Sequence, residues 1–194
     1  MNYDNMSKKD LIYSLTQKDC MLLKLCEENK KLNYLASTDA MTGVFNRKAG
    51  LELLETKFKL SNINNENLVV CFLDVDKLKT VNDTFGHQEG DKLLINAAKI
   101  LKKSIRKTDF IIRMGGDEFL AVFPETIMKE VDKIWMKVLS LLEKINKNNQ
   151  KYKLSFSYGF YEYNKETEEN LTVKDLIKKA DRKMYKTKRK KGIM

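Results

Sequence analysis

Two short acidic clusters are the residues of this sequence best suited to chemistry. Asp74 and Asp76 close the apolar run Leu68-Val-Val-Cys-Phe-Leu73. A carboxylate at the end of a buried strand is costly unless a positive charge compensates it. By itself this pair also has plain structural readings, Asp76 as a helix N-cap and Asp74 as a turn residue. The second cluster alters the balance. Asp117 and Glu118 follow Gly115-Gly116, where the segment 109–114 turns into the segment 118–123. A loop that needed only to turn would be satisfied by Asn-Gly, whereas carboxylates beside two glycines point to close approach of a ligand to bare backbone. If the strand at 68–74 and the hairpin at 109–123 are neighbours, Asp74 and Asp117 converge. Convergent hard oxygens point to Mg2+ rather than zinc. Two such ions about 3.5–4 Å apart suit in-line attack at phosphorus. These residues alone select neither a base nor an acceptor.

The elements that must position these groups are legible from periodicity. A helix is expected from near Asn46, burying Leu51, Leu54 and Phe58, then a loop over 62–67 and a central strand over 68–73. A helix follows from about Gly90 to Ile105, with Leu93, Leu94, Ala97, Ile100 and Leu101 on one face. Next come the Gly-Gly hairpin, a long amphipathic helix over 125–148, a strand over 153–163 and a last helix over 173–188. The order α-β-α-β-β-α-β-α contains the split βαβ pattern of a ferredoxin-like α+β fold.

Residues 4–36 stand apart. Leu11, Leu15, Lys18, Leu22, Leu25, Asn29, Leu32 and Ala36 step alternately by four and three, as in a two-stranded coiled coil with polar register setters. The alternative is a helix packed on its own domain. The run Ser37-Thr38-Asp39 marks the boundary, so 1–36 is expected to be a helical stalk and 37–194 the domain.

Composition excludes other classes. The chain has 194 residues, which favours one domain plus an extension, and its net charge is +10. Residues 182–191 hold seven basic groups and no acid, so the charge marks a tail rather than a basic face and is poor support for nucleic-acid binding. No apolar run reaches the length of a membrane span, and Met1 to Asp10 lacks a signal-peptide core. Cys20, Cys26 and Cys71 form no CxxC, and the single His argues against structural zinc. A reduced, cytoplasmic protein is expected.

Four ordered blocks then carry a resemblance. Met114-Gly-Gly-Asp-Glu-Phe119 contains the GGDEF signature. Asp39-Ala-Met-Thr-Gly-Val-Phe-Asn-Arg47 resembles the opening D-x-L-T-G-L-x-N-R of the GGDEF-domain diguanylate cyclases. The segment from Phe72 to Asp91 is similar to that family's strand and base-binding segment, and 180–188 to its last helix. The resemblance covers about residues 37–192. It implies a GGDEF domain that joins two GTP into cyclic di-GMP with release of pyrophosphate.

The resemblance also implies roles. Asp74 and Asp117 would hold Mg2+ (Mn2+ being the alternative), assisted by the Val75 carbonyl and Glu118. Asp117 would help deprotonate the attacking 3′-hydroxyl. Backbone amides around Lys77 and Leu78, with Gly115 and Gly116 nearby, would accommodate phosphates. Asn82 and Asp91 would read the guanine edge. His87 belongs to the family's F-G-H-x-x-G-D, where a structural turn role is equally open. Lys188 would reach the triphosphate. Arg106 and Asp109 resemble the family's R-x-x-D inhibitory site, which binds product. Each protomer would hold one GTP, so the chemistry needs a homodimer, which a stalk would supply by raising effective concentration. The chain departs from the pattern at Gly192, where the family has Arg in x-x-G-R-N, and at Met41 and Phe45, which are apolar swaps. The alternative function is a catalytically weak GGDEF domain that binds GTP or cyclic di-GMP without turnover.

Overall fold

The structure is a computed structural model that describes residues 7–149, 151–166 and 171–192. The chain divides into two units between Ser37 and Thr38. The first contains one helix, α1 (Lys8–Ser37), with no buried residue; Leu15, Leu22, Leu25 and Leu32 all lie exposed along it. This single long helix with an exposed leucine stripe fits a coiled-coil stalk. Residues 1–6 of the expected stalk lie outside the described residues.

The second unit contains α2 (Arg47–Asn64), β1 (Leu68–Val75), α3 (Leu78–Phe85), α4 (His87–Ser104), β2 (Phe110–Gly115), β3 (Glu118–Pro124), α5 (Met128–Asn148), β4 (Phe156–Tyr163) and α6 (Val173–Lys190). The four strands form an antiparallel sheet in the order β2-β3-β1-β4. This is the ferredoxin-like split βαβ arrangement that the sequence predicts, with β1 central and the β2–β3 hairpin beside it.

Alternation along β1 assigns its side chains to two cores. Val69, Cys71, Leu73 and Val75 pack with α4 and α5, including Leu93, Ala97, Trp135 and Val138. Leu68, Val70 and Phe72 pack on the opposite face with α2 and α6, including Leu54, Phe58, Leu176 and Met184. Every residue of β1 is buried, so its continuous apolar run is what a strand covered on both faces requires. By the same parity Asp74 falls on the α2/α6 side, at the end of the strand.

Local signals set the helix ends. Asn46 caps α2 by accepting from the Ala49 amide at 3.0 Å, and Thr172 with Asp175 forms a capping box on α6. Three elements differ from the expectation; the helix expected from 125 begins at Met128, with Ile127 at its N-cap. The helix expected from Gly90 begins at His87 and is preceded by α3, an eight-residue helix that Gly86 ends at φ 86°. A helix this short has too few turns to show a periodic stripe; Val81 is its one buried residue. Strand β4 begins at Phe156 rather than Lys153, because the backbone of Leu154 bonds instead to the Asn146 side chain, through both N–H and C=O at 2.8 Å.

Candidate active site

The site is built where β1 ends beside the β2–β3 turn. Asp74 lies opposite Glu118 in the ladder, and the Val75 amide donates to the Asp117 carbonyl at 2.9 Å. The hairpin turns at Gly116 and Asp117, with φ of 156° at Gly115 and 49° at Gly116. The positive φ at Gly116 is the conformation glycine adopts without steric cost. The two acidic clusters, 43 positions apart from Asp74 to Asp117, are thus brought to one end of the sheet.

A buried carboxylate at this place needs compensation, and α6 provides it. Lys188 Nζ lies 2.7 Å from Asp74 Oδ2. Asp74 Oδ1 is buried with no hydrogen-bond partner among the described residues. Burial raises the Asp74 carboxyl above its ordinary range, and the Asp117 charge adds to this, against the hydrogen bond from Lys188. Glu118 is also raised, first by burial, then by Asp117, Asp74 and Asp181. Carboxylates that repel one another around an orphaned oxygen form a donor set suited to a hard divalent cation. Among the described residues no three His, Cys, Asp or Glu side chains close into a metal cage.

Asp76 has a different environment. Its carboxylate accepts from Ser155 Oγ and Ser157 Oγ at 2.6 Å each and from Lys191 Nζ at 2.9 Å. Burial works to raise it, but these bonds together hold it below its ordinary value. Neither plain reading of the first acidic pair holds: the residue at the α3 N-cap is Lys77, which makes no side-chain cap bond, and Asp74 lies within β1. Lys77 adopts left-handed geometry at φ 63°, a strained conformation for a non-glycine residue, immediately before the first amides of α3 at Leu78.

Asn82 on α3 packs against the first turn of α4. A Cβ on Gly90 would lie 1.8 Å from Asn82 Oδ1, so only glycine permits this approach. The contact places Asn82 beside Gly90 and hence next to exposed Asp91, while His87 is exposed as the first residue of α4. On the opposite face of the sheet, a groove of ≈ 560 Å³ is lined by Arg47, Phe72, Met114, Glu118 and Asp181, among others.

Arg106 and Asp109 pair ahead of β2. The Arg106 guanidinium donates to Asp109 at 2.8–3.1 Å, to the Pro124 carbonyl at 3.2 Å and to the Thr126 hydroxyl. The Asp109 side chain is fully buried and the Arg106 side chain is 42% exposed. The pair therefore sits at the far end of β2 from Gly115.

Sequence reasoning missed three groups that hold this site: Arg113, whose guanidinium donates to Asp39 and to the Gly116 carbonyl, and Ser155 and Ser157, which donate to Asp76. Arg113 was the most accessible of them, being the one charged residue in an otherwise apolar strand two positions before Gly115. The serines carry no local signal, because their partner Asp76 is about 80 positions away.

Comparison with known proteins agrees with this geometry. The family described as "Diguanylate cyclase, GGDEF domain" matches residues 36–193. The chain is 37% identical over 155 residues to the probable diguanylate cyclase DgcJ of Escherichia coli strain K12, covering 80% of this chain and 30% of that protein. It spans 30% to 44% of the length of this and two further curated relatives. The GGDEF domain of DgcB from Caulobacter crescentus, solved in complex with c-di-GMP, superposes with a TM-score of 0.70 at 25% identity, covering 79% of this chain and 91% of that one. The structure comprising the coiled coil and GGDEF domain of the same protein has a TM-score of 0.76 at 23% identity over 92% of this chain and 94% of that one, a likeness of fold. With the signature turn, the matched span and the shared architecture in agreement, this chain belongs to the GGDEF-domain family of diguanylate cyclases.

Proposed function

We propose that this protein condenses two GTP into cyclic di-GMP, working as a homodimer with one GTP per protomer and inhibited by its product. The observation that carries the reading is the meeting of Asp74 with the Asp117–Glu118 turn, with a buried and unpartnered oxygen on Asp74. The DgcB GGDEF domain, similar in fold, was solved with c-di-GMP bound, which supports the product class.

In this reading Asp74, Asp117, Glu118 and the Val75 carbonyl hold Mg2+, with Mn2+ as the alternative ion. Bound there, the ion supplies charge neutralisation on the triphosphate and acidifies the attacking hydroxyl. Asp117, half-exposed on the turn, takes the 3′-hydroxyl proton. The 3′-oxygen forms its bond to the α-phosphorus of the GTP held by the other protomer, and the bond to the β-phosphate oxygen breaks, so pyrophosphate leaves. Repeating the step with the roles exchanged closes the ring. The amides at Lys77 and Leu78 donate to phosphate oxygens, as a helix start can. Lys188 gives the triphosphate a cation. Asn82 and Asp91 read guanine, whose N1–H and N2–H₂ donors adenine lacks. His87 lines the same corner. Residues 1–36 form the stalk that holds two domains, 37–194, at high local concentration. Arg106 and Asp109 bind product on a surface away from the catalytic turn.

The test is incubation with GTP and Mg2+ followed by chromatography for the cyclic dinucleotide. Wild type should form it, and Asp74→Asn and Asp117→Asn should each lower turnover by about 10³-fold or more. Binding of GTP or cyclic di-GMP without turnover by wild type would favour the binding-module reading. Near-normal turnover in either variant would remove that residue from the metal site.

A further inference from the structure

The family's last-helix motif continues with Arg at the position of Gly192 in this chain, yet the end of α6 is not bare. Lys191, at the α6 C-cap, donates from Nζ to Asp76 Oδ2 at 2.9 Å and to the Phe156 carbonyl at 2.5 Å. Asp76 is itself a hub: its side chain is fully buried and also accepts from Ser155 and Ser157, while its amide donates to the Ser155 carbonyl at 3.0 Å. One lysine thus joins three segments, the exit of β1, the start of β4 and the end of α6.

The spacing gives this joint a consequence. Lys188 and Lys191 are three apart, one helical turn, so they leave α6 on the same face. Asp74 is the second-last residue of β1 and Asp76 the first beyond it. The two lysines therefore meet the two aspartates as a matched double contact, Lys188 on Asp74 and Lys191 on Asp76. A second tie, from Thr187 Oγ1 to the Tyr158 carbonyl at 3.0 Å, fixes the same turn to β4. A lysine side chain has four rotatable bonds and gains precision only from the backbone that carries it. The last turn of a helix frays unless something holds it.

We propose that Lys191, acting through Asp76 and the Phe156 carbonyl, is a positioning residue that anchors the end of α6 and so sets Lys188 where it meets the triphosphate. This rests on the proposed GTP chemistry. Lys191 does not take over the missing arginine's contact; it is committed to a buried carboxylate and a strand carbonyl, and its effect on substrate passes through Lys188.

The experiment is a double-mutant cycle on GTP binding, measured by calorimetry with the full chain in EDTA, so that no metal contributes, and repeated as steady-state turnover with Mg2+. Lys188→Met should weaken GTP by roughly tenfold, as loss of a charge-assisted contact does. Lys191→Met should weaken it by a comparable or smaller factor, and the double variant should be no weaker than Lys188→Met alone. With Mg2+ the effect of Lys191→Met should fall mainly on KM, and Lys191→Arg, which can still reach Asp76, should recover most of it. Additive losses in the double variant would mean that Lys191 touches GTP itself and would overturn the proposal. Unchanged GTP affinity in Lys191→Met would overturn it too. So would a loss accompanied by equal loss of thermal stability and not recovered by Lys191→Arg, since that marks a role in folding alone. If wild type binds GTP without cyclising it, the catalytic reading falls while the cycle still decides the role of Lys191; if wild type binds no GTP, both fall.

Discussion

Arg113 Nη1 lies 3.0 Å from Asp39 Oδ1, and the same guanidinium donates to the Gly116 carbonyl at 2.9 Å. One side chain therefore connects the opening motif of the domain to the turn that carries Asp117. Asp39 is fixed in return by the Thr42 amide and hydroxyl, at 2.9 and 2.6 Å, and these bonds with Arg113 hold its carboxyl below its ordinary value despite burial. Both partners are largely shielded, the side chains being 14% and 24% exposed. The planar fork of arginine holds two separated acceptors in a fixed geometry, which the single point charge of a lysine does not reproduce.

Arg113→Lys should consequently lower turnover by about tenfold or more, because the turn loses the donor that sets it. The same change should cost about 1–3 kcal/mol in urea unfolding. Full activity in this variant would show that the turn holds its geometry without Arg113.

Glu118 yields a prediction with a sign. Its carboxyl is raised in the folded protein by burial and by Asp117 and Asp74. A raised carboxylate favours the folded state at pH below its unfolded value, and that stability is lost as pH rises through the folded value. At neutral pH without metal, ionised Glu118 is therefore a destabilising charge. Glu118→Gln should raise Tm in EDTA and lower Mg2+-dependent turnover by about 10²-fold. A lower Tm for the variant in EDTA would contradict the repulsion.

Asp91 should decide between guanine and adenine. Asp91→Ser removes an acceptor for paired guanine donors, worth ~1–3 kcal/mol of preference, and competition between GTP and ATP reads it directly. Gly90→Ala should weaken GTP binding as well, since the added Cβ would displace Asn82. Unchanged base preference in Asp91→Ser would remove Asp91 from base reading.

Feedback should depend on the arginine fork ahead of β2. Arg106→Lys keeps a cation beside buried Asp109 but loses the planar donor set. Affinity for cyclic di-GMP should fall about tenfold, and progress curves should stay linear for longer while initial rates hold. Curves that bend as in wild type would leave this pair with a purely structural role.

The stalk should act through encounter rather than chemistry. Removing residues 1–36 should lower specific activity in dilute enzyme and restore it as concentration rises. Specific activity independent of concentration in both proteins would contradict a dimer stalk.

The order of every element except the short α3, the two-sided burial of β1, the Gly-Gly turn and the identity of the carboxylates follow from the amino-acid sequence alone, because apolar period, glycine and capping residues act over a few positions. Asp74 and Asp117 were legible as candidates on those grounds, and Lys188 on the family resemblance. How their charges are balanced emerges with the packed fold. Asp74 and Asp76 are two residues apart, yet the first keeps an unpartnered oxygen beside Lys188 while the second is saturated by Ser155, Ser157 and Lys191. Arg113 reaches Asp39 across 74 positions, and Lys191 reaches Asp76 across 115. Such partners have no local signature, because a hydrogen bond is set by separation in space, and distances between distant parts of the chain exist only once the sheet has paired and α6 has packed upon it.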